Sequence, residues 1–155
     1  VTLASVSALA AILQERALKT KRRLFLTSLL PSLVDADVLT FETCSSGPGD
    51  LKAIGEVITE KKIAIGVIDH HTLQVERPDQ VAKLIREALK HIPAERLIIS
   101  SDCGMGREGM TRRHANYKMI AMVQGTNIVR GELGLPLAKC RAQYQQYSLA
   151  AQTTS

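Results

Sequence analysis

Three short apolar segments of this sequence end in side chains that bind metals or transfer protons. The segments lie at 38–41, 63–68 and 97–99, and the residues that follow them include Glu42, the adjacent pair His70 and His71, and Cys103. Carboxylate, imidazole and thiolate are all zinc ligands, and the first two also serve as general acids and bases. No single one of these residues is specific, but their recurrence after three successive segments indicates one chemical site.

The apolar segments are predicted to be strands that carry the site on one edge of a parallel sheet. Ile63–Ile68 and Leu97–Ile99 are rich in β-branched residues, which favours buried strands. Helical stripes separate the segments, and strands alternating with helices predict an α/β fold with a parallel sheet. In such folds ligands bind at the carboxyl ends of the strands. If the chain stays extended after Ile68, the side chains of His70 and His71 diverge and only one of them faces the site.

Helices are predicted around these strands from apolar periodicity and capping residues. Asp50 is placed to cap a helix over 51–60, and Pro78 suits the first turn of the next helix. Thr111 is expected to cap a long helix that reaches Arg130. The inward-facing residues of that helix are predicted to be Ala115, Met119, Met122, Val123 and Thr126.

The two ends of the chain are predicted to contribute no strand to the sheet. Residues 3–19 carry an amphipathic stripe that predicts a helix, and 24–34 predict a second short helix. Residues 141–155, rich in Gln and Ser, are predicted to fray. The resulting three-stranded parallel sheet would expose two unpaired edges. The chain is therefore expected to be part of a larger sheet or barrel, or to form a homo-oligomer.

Length and composition are those of a single layered domain. The chain has 155 residues, of which 45% are hydrophobic and 3% aromatic. This balance suits packed helices and strands better than a β-sandwich. The net charge of +5 is typical of a mildly basic, solvated surface. No arginine-rich run is interleaved with aromatic residues, so nucleic-acid binding is not expected, although a basic pocket for an acidic small molecule remains open.

Cysteine usage and hydropathy predict a reducing compartment and no membrane association. The three cysteines, Cys44, Cys103 and Cys140, are too few and too widely spaced for a disulfide framework. No apolar run reaches the roughly 18 residues of a membrane span. The apolar start of the chain lacks the basic leader of a signal peptide. Together these features predict a cytoplasmic location.

Four segments resemble the cobalamin-independent methionine synthase family. They are Ala-Asp-Val-Leu-Thr-Phe-Glu-Thr ending at Thr43, Ile-Gly-Val-Ile-Asp-His-His-Thr ending at Thr72, Ile-Pro-Ala-Glu-Arg-Leu ending at Leu97, and Ser-Asp-Cys-Gly ending at Gly104. The separations between Glu42, His71 and Cys103 also agree with the family. The loop from Gly104 to Gly109 and the helix after it are similar to the shorter core proteins of the family, which lack its N-terminal barrel.

This resemblance implies a fold and a division of the chain. Residues 37–136 are expected to form the C-terminal part of a (β/α)8 TIM-type catalytic barrel, with parallel strands alternating with helices. Residues 1–36 would be a helical N-terminal segment and 137–155 a C-terminal tail. Methionine synthases of this family transfer a methyl group from 5-methyltetrahydrofolate to homocysteine to make methionine, with zinc as the cofactor.

The resemblance also implies roles for individual residues. It assigns zinc binding to Glu42 and Cys103 and proton donation to His71. Further candidates for substrate binding are Asp69, Arg107 and Arg112. The two arginines flank a predicted helix N-terminus, and such a position suits an anion such as the glutamate tail of a folate.

One feature of the family is missing from this sequence. The family supplies two more zinc ligands from a His-x-Cys motif on the strand before the one that ends at Glu42. No His-x-Cys occurs here, and the first histidine is His70. Three alternatives stay open: a fragment of a methyltransferase, a half-barrel completed by a partner chain, or a truncated non-catalytic relative. A thiol-alkylating enzyme with another substrate is also compatible with the retained residues.

Overall fold

A computed structural model describes residues 3–5, 35–47 and 50–147 of the chain. The described residues form four parallel strands and three α-helices. The strands are β1 (Leu3–Ser5), β2 (Val38–Phe41), β3 (Lys62–Gly66) and β4 (Leu97–Ser100), and the helices are α1 (Leu51–Val57), α2 (Pro78–Leu89) and α3 (Arg112–Glu132). Two 3-10 turns, Arg141–Gln143 and Gln145–Tyr147, follow α3. The predicted α/β class with a parallel sheet is confirmed.

The register of the sheet places the ends of β2, β3 and β4 side by side. The strand order is β1-β2-β3-β4, and all neighbouring pairs are parallel. Phe41 lies opposite Ile65, and Ile65 lies opposite Ile99. The segments that follow these three strands therefore start at the same edge of the sheet, where the sequence predicted the site.

The prediction of a helix over residues 3–19 is wrong at its start. Leu3 to Ser5 form β1, whose residue Leu3 lies opposite Val38 of β2. Backbone hydrogen bonds to a distant strand override a local helical periodicity, because strand formation depends on tertiary context. The remainder of this helix and the second predicted helix lie outside the described residues, so the division of the chain at residue 36 stays a prediction.

The core lies on both sides of β3. Ile63 and Ile65 are fully buried, and helices α1 and α2 pack apolar faces against the sheet. The buried cluster also contains Leu39, Leu51, Ile58, Val67, Ile68, Val81, Ala82, Ile85, Ala88, Ile92 and Val129. Because a central parallel strand is covered on both faces, its sequence is continuously apolar rather than alternating.

The capping residues have mixed outcomes. Pro78 occupies the first turn of α2, and the Thr111 side chain accepts a hydrogen bond from the His114 backbone N–H at the start of α3, as predicted. Asp50 precedes α1 but makes no side-chain capping bond, and α1 ends at Val57 rather than at residue 60.

The predicted inward face of α3 is correct only in part, because Met119 and Met122 pack against the buried core but the fully buried residues are different ones. Its buried residues are Lys118, Ala121, Gln124, Gly125 and Val129, whereas the predicted set is only half-buried. The shift arises because α3 packs closely on α2 through a glycine. A Cβ at Gly125 would lie 2.6 Å from the Val81 Cβ. The hydrophobic stripe of the sequence therefore did not identify the face that makes this contact.

The segment after α3 packs on that helix. Gln124 Nε2 donates a hydrogen bond to the Tyr144 carbonyl at 3.0 Å, and the Ala138 N–H donates to Asn127 Oδ1 at 2.8 Å. Residues 141–147 form two 3-10 turns, and Tyr144 between them bonds to α3. The predicted fraying of 141–155 stays a prediction, and 148–155 lie outside the described part. In the described residues, no helix combines the length and the apolar character needed to cross a membrane.

Candidate functional site

The sheet brings the predicted site residues to one edge. Glu42 directly follows β2 and is half-buried, and Cys103 lies three residues after β4 and is exposed. His71 follows β3 after a short bend and is also exposed. The parallel topology thus delivers a carboxylate, an imidazole and a thiol to neighbouring loops, as the sequence predicted.

Asp102, which the sequence analysis did not single out, joins the loops that carry Glu42 and Cys103. The residue is 5% exposed. Oδ1 accepts hydrogen bonds from the backbone N–H groups of Thr43 and Cys44, both at 3.0 Å. Oδ2 accepts one from the Ser45 N–H at 2.7 Å. The sequence shows that Asp102 is an acidic residue next to the candidate ligand Cys103. It does not show that Asp102 bonds to Thr43, Cys44 and Ser45, because these residues are distant in sequence.

Gly66 provides the space that this contact requires. A Cβ at this last residue of β3 would lie 1.8 Å from Asp102 Oδ1. The Gly66 carbonyl accepts a hydrogen bond from Thr43 Oγ1 at 2.7 Å. Asp102 therefore crosses the end of β3 to reach the β2 loop, and only glycine allows the crossing.

Asp69 orients the imidazole of His71. Asp69 Oδ1 accepts the His71 backbone N–H at 2.7 Å and lies 3.1 Å from His71 Nδ1. Burial opposes ionisation of Asp69, but the hydrogen bonds from His71 outweigh it and lower the pKa of the carboxyl group. Because an ionised carboxylate only accepts hydrogen bonds, Nδ1 must carry the proton. Nε2 is then the nitrogen available to a substrate.

The prediction that His70 and His71 diverge is wrong. Their ring centroids are 3.8 Å apart, with an angle of 41° between the ring planes. The chain bends after Asp69 instead of continuing as an extended strand, because Asp69 bonds back to the His71 backbone. Both rings therefore lie on the same side of this loop.

A buried lysine of α3 holds the loop that carries His71. Lys118 is 0% exposed, and its Nζ donates to the carbonyls of Asp69 at 2.9 Å and Gln74 at 2.6 Å. It also forms an ion pair with Glu76 Oε1 at 2.9 Å. The same Glu76 oxygen accepts the Asp69 N–H at 3.0 Å. Periodicity could not reveal this role, because a lysine is normally assigned to a solvated helix face.

The described residues offer an incomplete set of zinc ligands. Glu42 and Cys103 have suitable donor atoms, but a catalytic zinc site usually takes three protein ligands. Among the described residues, the one group of three or more candidate ligands is Asp69, His70 and His71, whose ligand atoms lie within 4.8 Å of one another. Asp69 and His71 already bond to each other, so this group is better explained as an oriented imidazole. The residues described here therefore do not complete a zinc site.

Cys44 is a poor substitute for a missing ligand. Burial, reinforced by the negative charge of Asp102, raises the pKa of its thiol to about 12. Zinc binds the thiolate rather than the thiol. Zinc binding by Cys44 would first require removal of a proton from a partly buried thiol, so Cys44 is a less favourable ligand than an unperturbed cysteine.

This raised pKa predicts slow alkylation of Cys44 in the folded protein. Relative to an unperturbed thiol, the thiolate fraction at pH 8 falls by about 10³, and the greater nucleophilicity of a more basic thiolate recovers part of the loss. We expect Cys44 to react with iodoacetamide about 10²-fold more slowly than a free cysteine, with a rate that increases about tenfold per pH unit between pH 8 and 10. Mass spectrometry of time-resolved samples measures this. Urea-unfolded protein is the control, in which Cys44, Cys103 and Cys140 should react alike; equal rates in the folded state would contradict the prediction.

The two predicted substrate-binding arginines lie on the surface, in the segment after β4 and at the start of α3. Arg107 and Arg112 are exposed, and Arg112 is the first residue of α3, next to the N-cap residue Thr111. The adjacent Arg113 lies over the Tyr117 ring, 5.9 Å from its centroid. Arg107 and Arg112 therefore remain accessible to an anion.

Comparison with known proteins agrees with this architecture. Residues 26–127 match the family model described as cobalamin-independent synthase, catalytic domain. The chain is 43% identical over 76 residues to a methionine synthase of Thermococcus kodakarensis, covering 49% of this chain and 22% of that protein. It is 35% identical over 107 residues to a 5-methyltetrahydropteroyltriglutamate–homocysteine methyltransferase of Pasteurella multocida, covering 68% of this chain and 14% of that protein.

A solved structure shows the same fold. The chain superimposes on a B12-independent methionine synthase from Shewanella sp. W3-18-1, in complex with selenomethionine, with a TM-score of 0.59 and 32% identity. The match covers 68% of this chain and 30% of that one. The fold and the site edge thus define a parallel α/β protein that corresponds to part of a TIM-type barrel. The chain belongs to the cobalamin-independent methionine synthase family, and it spans less than a third of the length of these relatives.

Proposed function

We propose that this chain is the C-terminal part of a zinc-dependent methyltransferase barrel that transfers a methyl group from 5-methyltetrahydrofolate to homocysteine, giving methionine. Relatives named for this reaction support the proposal. The observation that carries it is the imidazole of His71, which Asp69 orients at the sheet edge shared by Glu42 and Cys103. An oriented proton donor beside metal-type ligands suits a reaction that needs both.

His71 would supply the proton that this transfer requires. A methyl group on a tertiary amine is a poor electrophile unless the nitrogen is protonated and can leave as a neutral amine. With Nδ1 bonded to Asp69, a second proton on His71 would reside on Nε2, from which it can pass to the folate nitrogen. The hydrogen bond from Nδ1 to Asp69 would also fix the orientation of the ring. Asp69 would therefore support proton donation even without touching the substrate.

Glu42 and Cys103 would be two of the zinc ligands, with the others supplied by a part of the barrel outside this chain. If the ligands are shared in this way, the described residues are expected to supply fewer ligands than a catalytic zinc site needs. The second candidate function is a truncated, non-catalytic relative, or a half-barrel that needs a partner chain, and the absent His-x-Cys motif favours it for the isolated chain. The metal content of a completed barrel distinguishes the proposal from the non-catalytic relative.

Exposed arginines and an unpaired strand edge would provide substrate binding and assembly. Arg107 and Arg112 would bind the acidic tail of the folate, because a guanidinium pairs with carboxylates. The edge of β4 would pair with the remainder of the barrel or with another copy of the chain, since an unpaired strand edge promotes association. A cytoplasmic location would keep Cys103 reduced.

Zinc analysis of the purified chain, alone and joined to the preceding part of the catalytic domain of the Thermococcus kodakarensis relative, tests the proposal. We expect little zinc in the isolated chain, and stoichiometric zinc with methyl transfer in the completed barrel. Cys103→Ser should abolish both, His71→Gln should reduce methyl transfer by at least about 10²-fold with zinc retained, and Cys140→Ser should change neither.

Two outcomes would count against this proposal. A completed barrel without zinc or methyl transfer would favour the non-catalytic relative. Stoichiometric zinc in the isolated chain, lost in Cys103→Ser but kept in Cys140→Ser, would show that this chain supplies a third ligand; His70 and His71 would then be the first to test.

A further inference from the structure

Asp102 is bonded to the segments that follow two other strands. Its backbone N–H donates to the Ile68 carbonyl, beyond the end of β3, at 3.0 Å. Its carboxylate accepts the three N–H groups of Thr43, Cys44 and Ser45, beyond the end of β2. Asp102 itself follows β4. One residue thus connects the three strand ends at which the candidate chemistry lies.

The chemistry of this contact makes it rigid. The carboxylate is buried, and hydrogen bonds to a charged acceptor are shorter and stronger than neutral ones. Three consecutive backbone donors converge on two oxygen atoms, so the β2 loop cannot shift without leaving a buried charge underpaired. A neutral side chain of the same size could not accept all three bonds. The arrangement therefore fixes the backbone on the carboxyl side of Glu42 relative to the backbone on the amino side of Cys103.

We infer that Asp102 is a positioning residue that sets the separation between Glu42 and Cys103. The functional value of this separation rests on the proposed function, in which both side chains act at one site. The contact itself needs no metal, because the backbone bonds are formed within the protein. Asp102 thereby prepares the two side chains before any ligand is bound, as the support of a site must do.

A metal-independent cross-linking experiment on the full chain tests this inference. Glu42 is replaced by Cys in a background that carries Cys44→Ser and Cys140→Ser, so that the introduced thiol and Cys103 are the two thiols present. One end of a short bis-maleimide reacts first with either thiol. The rate at which its free end then reacts with the second thiol measures the effective concentration of that second thiol. Mass spectrometry gives the rates of both steps in the folded protein.

We expect efficient closure of the cross-link with Asp102 present and at least about a tenfold lower effective concentration in Asp102→Ala. Asp102→Asn should be intermediate, because its amide oxygen can still accept from Thr43 and Cys44 while its NH2 group cannot accept from Ser45. If Asp102→Ala does not fold, Asp102→Asn still allows the effective concentration to be measured. Asp50→Asn is the matched control, since the Asp50 side chain makes no capping bond, and it should leave the effective concentration unchanged.

A purely stabilising role for Asp102 gives a different result. The variants would then have a lower free energy of unfolding, with an unchanged effective concentration in the folded protein, and the inference would be overturned. Failure of the cross-link to close with Asp102 present would overturn it as well. Neither result depends on zinc or on methyl transfer, so loss of the proposed function in a completed barrel is distinguishable from loss of this positioning role.

Discussion

Replacing Lys118 by Met is expected to lower the free energy of unfolding by about 3–5 kcal/mol. Lys118 is fully buried, and its ammonium group neutralises Glu76 and bonds two backbone carbonyls of the 69–76 loop. Methionine can fill most of the space, but it leaves two carbonyls without the Lys118 donor and the Glu76 carboxylate without its counter-charge. Since domains are stable by only about 5–15 kcal/mol, this loss approaches the whole stability of the fold.

Urea denaturation followed by circular dichroism measures this effect. Lys83→Met is the matched control, because Lys83 is exposed on α2, and its effect should stay within about 0.5 kcal/mol. The double variant Lys118→Met with Glu76→Gln should recover part of the loss, since it removes the unpaired charge. A Lys118→Met protein as stable as the Lys83→Met protein would show that the buried ion pair is not required.

Replacing Gly66 by Ala is expected to destabilise the protein by about 3 kcal/mol or more. The new methyl group would lie 1.8 Å from Asp102 Oδ1, a distance at which two atoms cannot coexist. Either β3 moves within a fully packed sheet, or the Asp102 carboxylate withdraws from the three N–H groups that it accepts. Both responses combine overpacking with broken buried hydrogen bonds, which explains a larger effect than a methyl group usually has.

Thermal and urea unfolding of Gly66→Ala are compared with those of Gly131→Ala. Gly131 lies in α3 with open space around its Cβ position, so alanine there should be neutral or stabilise by up to about 1 kcal/mol. The Gly66 variant should also show a reduced effective concentration in the cross-linking assay, because it displaces Asp102. Equal stabilities for the two variants would contradict the close approach of Asp102 to β3.

The sequence alone was sufficient to predict the fold class, the family and the edge on which Glu42, His71 and Cys103 lie. These conclusions depend on short-range information. The apolar runs at 38–41, 63–68 and 97–99 contain the strands β2, β3 and β4, and parallel strands bring their carboxyl ends to one edge. The family resemblance was confirmed because it involved contiguous segments with fixed separations.

Only the tertiary structure revealed β1, the buried face of α3 and the residues that support the site. β1 forms through pairing with β2, far along the chain, and α3 turns toward α2 because Gly125 allows close contact. Asp102 and Lys118 are buried polar residues whose side chains bond to partners that lie 42 or more positions away. Sequence patterns record the average environment of a residue type, which for Asp and Lys is solvent. Burial of such a charge becomes favourable only when folding places its hydrogen-bond partners around it, and that arrangement exists only in three dimensions.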